Sequence, residues 1–398
     1  MLALYKASLI SLFTKVHELH ANSCNLALCL EIQETLIRRI IYIERRIHIL
    51  KRRIADNKNR LRTVRQVRLT KEESREIKEH TEYYKCSINK YKYLLRIFRD
   101  IGDAIAFIYI DKWDIKPMAF KQPTGFITGK EGTRLERKIL RGVFRLGRVA
   151  ILNDLTNCLR YGDITVPAHD KFLIIEAKSS KNRNTNKRTD RQLEGIQKVC
   201  KYLHTNCTDN LYDKEGLFMR VEMQTTEKNY IDELNEIVAN AMENGISHAE
   251  VEHGLFYCAM TKFNEDQLNE LVKSCDNKPI IQFLSLIDNT GYYPFTLSIR
   301  SPVALYRLYN SELNIIVFVN AKTLQEKCKL RGCSVELFVN EDFAFKLTHF
   351  KWTEYENNSI GVGHHVFGRV FAEFLSLEWF LNEMIDMPSR SQVSDNVG

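Results

Sequence analysis

Two interlocking apolar series constrain this chain more than any other feature. The first runs Leu36, Ile40, Ile43, Ile47, Leu50, Ile54, Asn57, Leu61, Val64; the second runs Ile77, Thr81, Tyr84, Ile88, Tyr91, Leu95, Phe98. Both alternate steps of four and three residues. That spacing keeps a stripe on one side of an α-helix only while the helix wraps a partner. Between the series, Thr70-Lys-Glu-Glu73 has the Thr-x-x-Glu pattern of a capping box and opens the second helix. The simplest structure is a helical hairpin over about residues 31–100, packed as an antiparallel coiled coil. Its first arm of about 35 residues would reach roughly 50 Å. Asn57 falls on the seam, where a polar residue fixes register.

Charge is unevenly divided along the 398 residues, whose net charge is +8. Residues 31–100 carry 20 Lys and Arg against 10 Asp and Glu, and residues 126–205 carry 17 against 8. Residues 206–398 reverse the sign, with 16 against 28. A polyanionic partner, nucleic acid first, follows for the two basic stretches. The acidic stretch instead suits a protein, a small ligand or a basic surface of another subunit. No run approaches the roughly 18 apolar residues of a membrane span, and Lys6 interrupts the N-terminus with no cleavage pattern after it. Ten cysteines at irregular spacing, none in a Cys-x-x-Cys pair, read as reduced structural thiols of a cytoplasmic protein.

Chemistry is concentrated in Tyr161-Gly-Asp163-Ile-Thr-Val166 and Phe172-Leu-Ile-Ile-Glu176-Ala-Lys178. The turn Pro167-Ala-His-Asp170 makes them a hairpin of two strands. Period-two geometry puts Glu176 and Lys178 on one face of the second strand. Two carboxylates beside an ammonium are what a metal-dependent phosphodiesterase needs. Asp163 and Glu176 would hold Mg²⁺, and Lys178 would orient the attacking water and offset phosphate charge. An acidic residue two positions before a Lys occurs six times, at Asp56, Glu76, Asp114, Glu136, Glu176 and Asp276. Of these, Glu176 alone ends a continuous apolar run of the kind expected for a buried strand.

The segment from about Gly132 to Leu203 resembles the PD-(D/E)xK, or restriction-endonuclease-like, superfamily. Gly132–Arg141 stands for the first helix, Val149–Asn153 for the first strand and Asp190–Leu203 for the second helix. The resemblance implies Asp163, Glu176 and Lys178 as the catalytic centre with Mg²⁺, for which Mn²⁺ can substitute. It further implies Glu136 as an acidic residue on the first helix and Gln192 as a glutamine beside the site; read as residues alone, Asp190 is an N-cap and Gln192 simply suits a helix start. The proline of the family name is absent; Gly162 stands before Asp163. Lys181, Arg183, Lys187 and Arg188 lie on a polar loop directly after Lys178 and suit nucleic-acid phosphates.

The expected architecture is α/β: a helical region over 1–124 with the coiled-coil hairpin, a nuclease-like core over 125–262 and an acidic α/β region over 263–398. Strands at 217–223 and 254–260 around a helix at 230–244 would extend the nuclease sheet. Later strands are expected at 280–287, 295–299, 314–319 and 343–350, with a final helix over 362–385. The neighbouring His364 and His365 point about 100° apart on a helix and make a poor chelator. The hairpin could dimerise the protein, grip a backbone through Lys51–Arg53 and Arg60–Arg68, or dock a partner protein that activates it. A dimer suits double-strand cutting, because one site cuts one strand.

The activity so implied is Mg²⁺-dependent endonuclease cleavage of DNA, and by analogy with similar cores a role in phage defence or restriction. Three competitors stand beside it: a catalytically inactive binding module, an RNA-directed nuclease and an assembly protein organised by the hairpin.

Overall fold

A computed structural model describes residues 2–62, 69–119, 125–129, 132–168, 171–177, 187–211, 216–220, 222–274, 279–286, 291–337, 343–353 and 355–391. They form two compact units, the first running to His204 and the second beginning at Thr205.

The first unit is built on the hairpin. Helix α1 (Lys6–Ala21) lays Leu9, Phe13 and Val16 against α2 (Leu26–Arg62) and α3 (Lys71–Tyr109). Along the seam, Leu36, Ile40, Ile43, Ile47 and Leu50 are buried opposite Ile77, Ile88, Leu95 and Phe98. Burying each such side chain contributes about 1.5–3 kcal/mol, which is why the helices run 37 and 39 residues unbroken. Asn57 Nδ2 donates to Thr81 Oγ1 at 3.1 Å, and Thr81 donates in turn to Ile77 O at 2.8 Å. The expected seam position of Asn57 is thus answered by a polar residue on the facing helix. The capping box is also present: Glu73 N donates to Thr70 Oγ1 and Thr70 N to Glu73 Oε2. Val64 and Arg65–Arg68 lie outside the described residues.

After the short α4 (Lys112–Ala119), α5 (Thr133–Arg145) leads to a three-stranded antiparallel sheet. Its strands are β1 (Ile151–Leu152), β2 (Ile164–Ala168) and β3 (Lys171–Ile175), in that order, followed by α6 (Lys187–Thr205). The first strand is shorter than expected because Asn153–Leu155 turns into a single 3₁₀ turn. Helix α6 starts at Lys187, so Asp190 lies inside it and is not its N-cap. Strand β3 is a sheet edge with Leu173 60% exposed. The apolar run there marks a half-covered edge, not a strand buried on both faces.

In the second unit, β4 (Cys207–Asp209) and β5 (Leu217–Met219) form a two-stranded ribbon. A four-stranded antiparallel sheet follows, ordered β6 (Ile246–Glu252), β7 (Leu255–Met260), β9 (Asn314–Asn320), β8 (Pro279–Phe283). Helix α7 (Ile231–Asn244) packs on β6 and β7. Helix α8 (Glu265–Ser274) places Leu268, Leu271 and Val272 against a cluster of Cys258, Met260, Ile316 and Phe318. A three-stranded sheet of β10 (Cys333–Leu337), β11 (Phe343–His349) and β12 (Ser359–Gly363) completes the β structure. The remaining helices are α9 (Phe295–Ser298), α10 (Pro302–Tyr309), α11 (Ala321–Leu330), α12 (His364–Ala372) and α13 (Leu377–Ser391).

Four expectations change here. Leu217–Met219 and Leu255–Met260 belong to their own sheets and do not extend β1–β2–β3. A boundary at 262/263 would cut between β7 and β9, which pair along their whole length. Phe295–Ser298 is a helical turn rather than a strand; all four residues are buried, so no face is left to show a period. The final helix is two helices, α12 and α13, with β12 running into the first. Among the described residues no helix is long and apolar enough to cross a membrane. Cys29, Cys158, Cys258, Cys328 and Cys333 are buried free thiols.

Candidate active site

The β2–β3 hairpin positions the carboxylates. Ile164 pairs with Ile175 as the last pair of the ladder, so Asp163 and Glu176 each stand one residue beyond it at the open end of the hairpin. Asp163 N donates to Ile175 O at 2.8 Å, and Asp163 Oδ2 accepts from Ala177 N at 2.7 Å. Asp163 and Glu176 thus lie at the same end of one hairpin, and both are partly buried.

Gly162 explains why proline is absent before Asp163. Its φ is +71°, in the left-handed region that glycine alone enters without strain and that proline cannot reach. A Cβ there would stand 2.4 Å from Ile174 Cγ2. The turn is held from within by Asn153, whose Nδ2 donates to Tyr161 O and Gly162 O, and whose Oδ1 accepts from Thr165 Oγ1. Asn153 N also donates to Asp163 O at 2.9 Å. Asn153 is 3% exposed and is one of the residues that sequence reasoning missed.

The platform beneath the sheet is the base of the coiled-coil hairpin. Gln33, fully buried on α2, donates to Ala150 O and accepts from Leu152 N, so its amide acts as a substitute strand along β1. Glu44 accepts from Ile127 N and Thr128 N and lies 3.7 Å from Arg99 Nη2. Asp103 accepts from Asn157 N, Asn157 Nδ2 and Cys158 N, and so ties down the loop that runs to Asp163. Gly102, next to it on α3, leaves room for that loop, since a Cβ would meet Leu155 O at 1.9 Å.

Burial sets the ionisation of these groups. It raises the Asp103 carboxyl against the opposing pull of its bonds from Cys158 and Asn157. It lowers the Arg99 and Arg160 guanidinium groups against nearby carboxylates. At the rim, burial alone would raise Glu34, but hydrogen bonds from Arg141 and Arg137 hold it below the usual range. The helical region and the sheet thus share one polar core, and the expected division at 124/125 separates no independent body.

Glu136 sits buried in the first turn of α5, its Oε1 folded back to within 2.9 Å of where a Cβ on Gly132 would be. It does not join the other two carboxylates in a larger cluster: among the described residues no three His, Cys, Asp or Glu side chains gather around a point. Gln192, Lys187 and Arg188 fall in the first turns of α6. Lys178, Lys181 and Arg183 lie outside the described residues. Asp163 with Glu176 is a pair of hard oxygen donors, a set that fits Mg²⁺ completed by substrate phosphate and water.

Set against family models, curated proteins and solved structures, the chain matches none of them.

Proposed function

We propose that this protein is a Mg²⁺-dependent endonuclease that hydrolyses DNA phosphodiester bonds. One observation carries the reading: Asp163 and Glu176 stand at the open end of one hairpin, each one residue beyond its last pair, with Asp163 held by the Ala177 amide. The order α5, β1–β2–β3, α6 supports it as the helix–sheet–helix frame of a restriction-endonuclease-like core. Asp163 and Glu176 would hold the ion, and Mg²⁺ bound there would offset charge on the phosphate. Lys178, two residues beyond Glu176 in the sequence, would orient the water and donate to the phosphate oxygens. Glu136 and Gln192 support the site from the flanking helices. Lys181, Arg183, Lys187 and Arg188 hold the nucleic-acid backbone, and a homodimer would bring two sites to two strands.

A second reading is a nucleic-acid-binding module without catalysis, favoured by the absence of a three-carboxylate cluster among the described residues. Plasmid DNA and labelled single-stranded RNA, incubated with Mg²⁺, Mn²⁺ or EDTA, separate the two. Cutting that needs the metal and disappears in Glu176→Ala and Lys178→Ala is expected, with DNA the preferred polymer. Cutting by Glu176→Ala at the wild-type rate would sink the catalytic assignment. Preference for RNA would change the substrate and keep the site.

A further inference from the structure

Helix α2 repeats a pair of arginines every seven residues: Arg38-Arg39, Arg45-Arg46 and Arg52-Arg53, with Arg60 one heptad further. Arg39, Arg46, Arg53 and Arg60 each stand immediately before a seam residue, namely Ile40, Ile47, Ile54 and Leu61. They therefore line one flank of the seam, stepping about 10.5 Å per heptad over roughly 32 Å. All four are exposed.

In coiled coils these flanking positions ordinarily carry opposite charges that pair across the helices. Here, among the described residues, no carboxylate pairs with Arg39, Arg45, Arg46, Arg52 or Arg53. Their partners are aromatic. Arg46 stands beside Tyr91, and the Arg53 guanidinium lies over the Tyr84 ring at 5.8 Å. Tyr5 and Tyr42 stand beside Arg39 and Arg46. The opposite flank is different: Glu44 there meets Arg99, and Lys51 lies over Phe126 at 5.1 Å. That flank is taken up by the protein's own packing, while the arginine flank faces outward.

Three like charges in a row, Arg39, Arg46 and Arg53, with no carboxylate partner among the described residues, are costly on a solvated helix, where mixed signs serve solubility at lower cost. Their heptad regularity and alternation with tyrosine rings match a ligand that is itself a regular polyanion with stackable groups. The geometry points to the Arg39–Arg60 ladder as a second nucleic-acid surface, one that takes a phosphodiester backbone on the far flank of the hairpin from α5 and the sheet. Its length corresponds to about nine base pairs at 3.4 Å per step. The surface stands apart from the carboxylate pair and does not depend on cleavage.

The test is fluorescence polarisation of the full chain with a labelled duplex and a labelled single strand, in EDTA, across about 50–200 mM salt. The triple variant R39Q/R46Q/R53Q should bind at least tenfold more weakly. Its slope of log affinity against log salt should fall by about three. The two arms show which form of backbone the ladder takes. Helix content by circular dichroism should stay unchanged, and R39K/R46K/R53K should keep most of the binding. A charge-matched control, K262Q/K273Q/K329Q, should bind as wild type does.

Equal loss in that control, or unchanged affinity in the triple variant, would overturn the ladder. Recruitment to phosphatidylserine vesicles with no nucleic-acid binding would overturn it too. Glu176→Ala should bind normally, so loss of cutting in that variant and loss of binding in the ladder variant report on separate claims.

Discussion

The α2–α3 hairpin and the C-terminal pair α12–α13 are both apolar stretches with helical spacing, yet only the first runs unbroken where its periodicity marks a helix. In the hairpin, Asn57 on the seam finds its partner on the facing helix, Thr81. At the junction of α12 and α13 the partners come from elsewhere in the second unit. Glu373 accepts two bonds from Arg369 Nη1 at 2.7 and 2.8 Å and one from Tyr293 N at 3.1 Å. Phe374 turns to φ +57°, and its carbonyl accepts from Tyr230 N. Ser376 N donates to Lys228 O, while its hydroxyl accepts from Trp379 N and donates to Glu252. A periodic pattern states where a helix can run. Where it stops can be decided by bonds to residues more than a hundred positions away.

The contrast is broken most forcefully at the seam. Replacing Ile43, Ile47 and Leu50 together with Asp puts three charges where three fully or nearly buried aliphatic side chains now sit. The loss should exceed about 5 kcal/mol, enough to unfold the first unit at 25 °C. Circular dichroism melts would register it as lost helix, and an unchanged melt would refute the seam.

In the second unit the largest single loss should come from Arg369→Met. Glu373 is 2% exposed and would be left in a buried place without that cation. Breaking a buried pair from one side costs about 3–5 kcal/mol. Urea midpoints measure this directly, and a loss under about 1 kcal/mol would mean that Arg369 is not what holds Glu373.

Legibility follows the same division. The seam, the capping box at Thr70, the order helix–three strands–helix and the hairpin that carries Asp163 and Glu176 at its open end could all be read from spacing, because local periodicity and a tight turn decide them. The break at Glu373–Ser376 could not, since Ala-Glu-Phe-Leu-Ser contains neither Gly nor Pro. Nor could the helical turn at Phe295–Ser298, where burial on every side erases the period. At the site, Asn153 and Gln33 escaped notice because an amide that replaces backbone bonds leaves no pattern. The one hint was Gln33 standing a heptad before Ile40, on the seam itself.

Ser376→Ala tests the junction more gently. Its hydroxyl satisfies Trp379 N at 3.1 Å in the first turn of α13, in the manner of an N-cap. Loss of such a cap costs about 1 kcal/mol. A drop of that size in the urea midpoint is expected, with helix content retained; no drop would transfer the role to the neighbouring backbone bonds.

The smallest effect carries the most information about the seam. Asn57→Val should cost about 1 kcal/mol, because it removes a donor while Thr81 stays 8% exposed and bonded only to Ile77 O. Adding Thr81→Val should recover that loss or exceed it. Exchanging both members of a buried hydrogen-bonded pair for apolar groups of similar shape is nearly neutral or stabilising. The hairpin would then hold its stability without the pair that fixes its register, and alternative registers or larger assemblies should appear in solution mass. If the double variant instead costs the sum of the two singles, Asn57 and Thr81 are not coupled. The register would then be set by the loop and the apolar side chains alone.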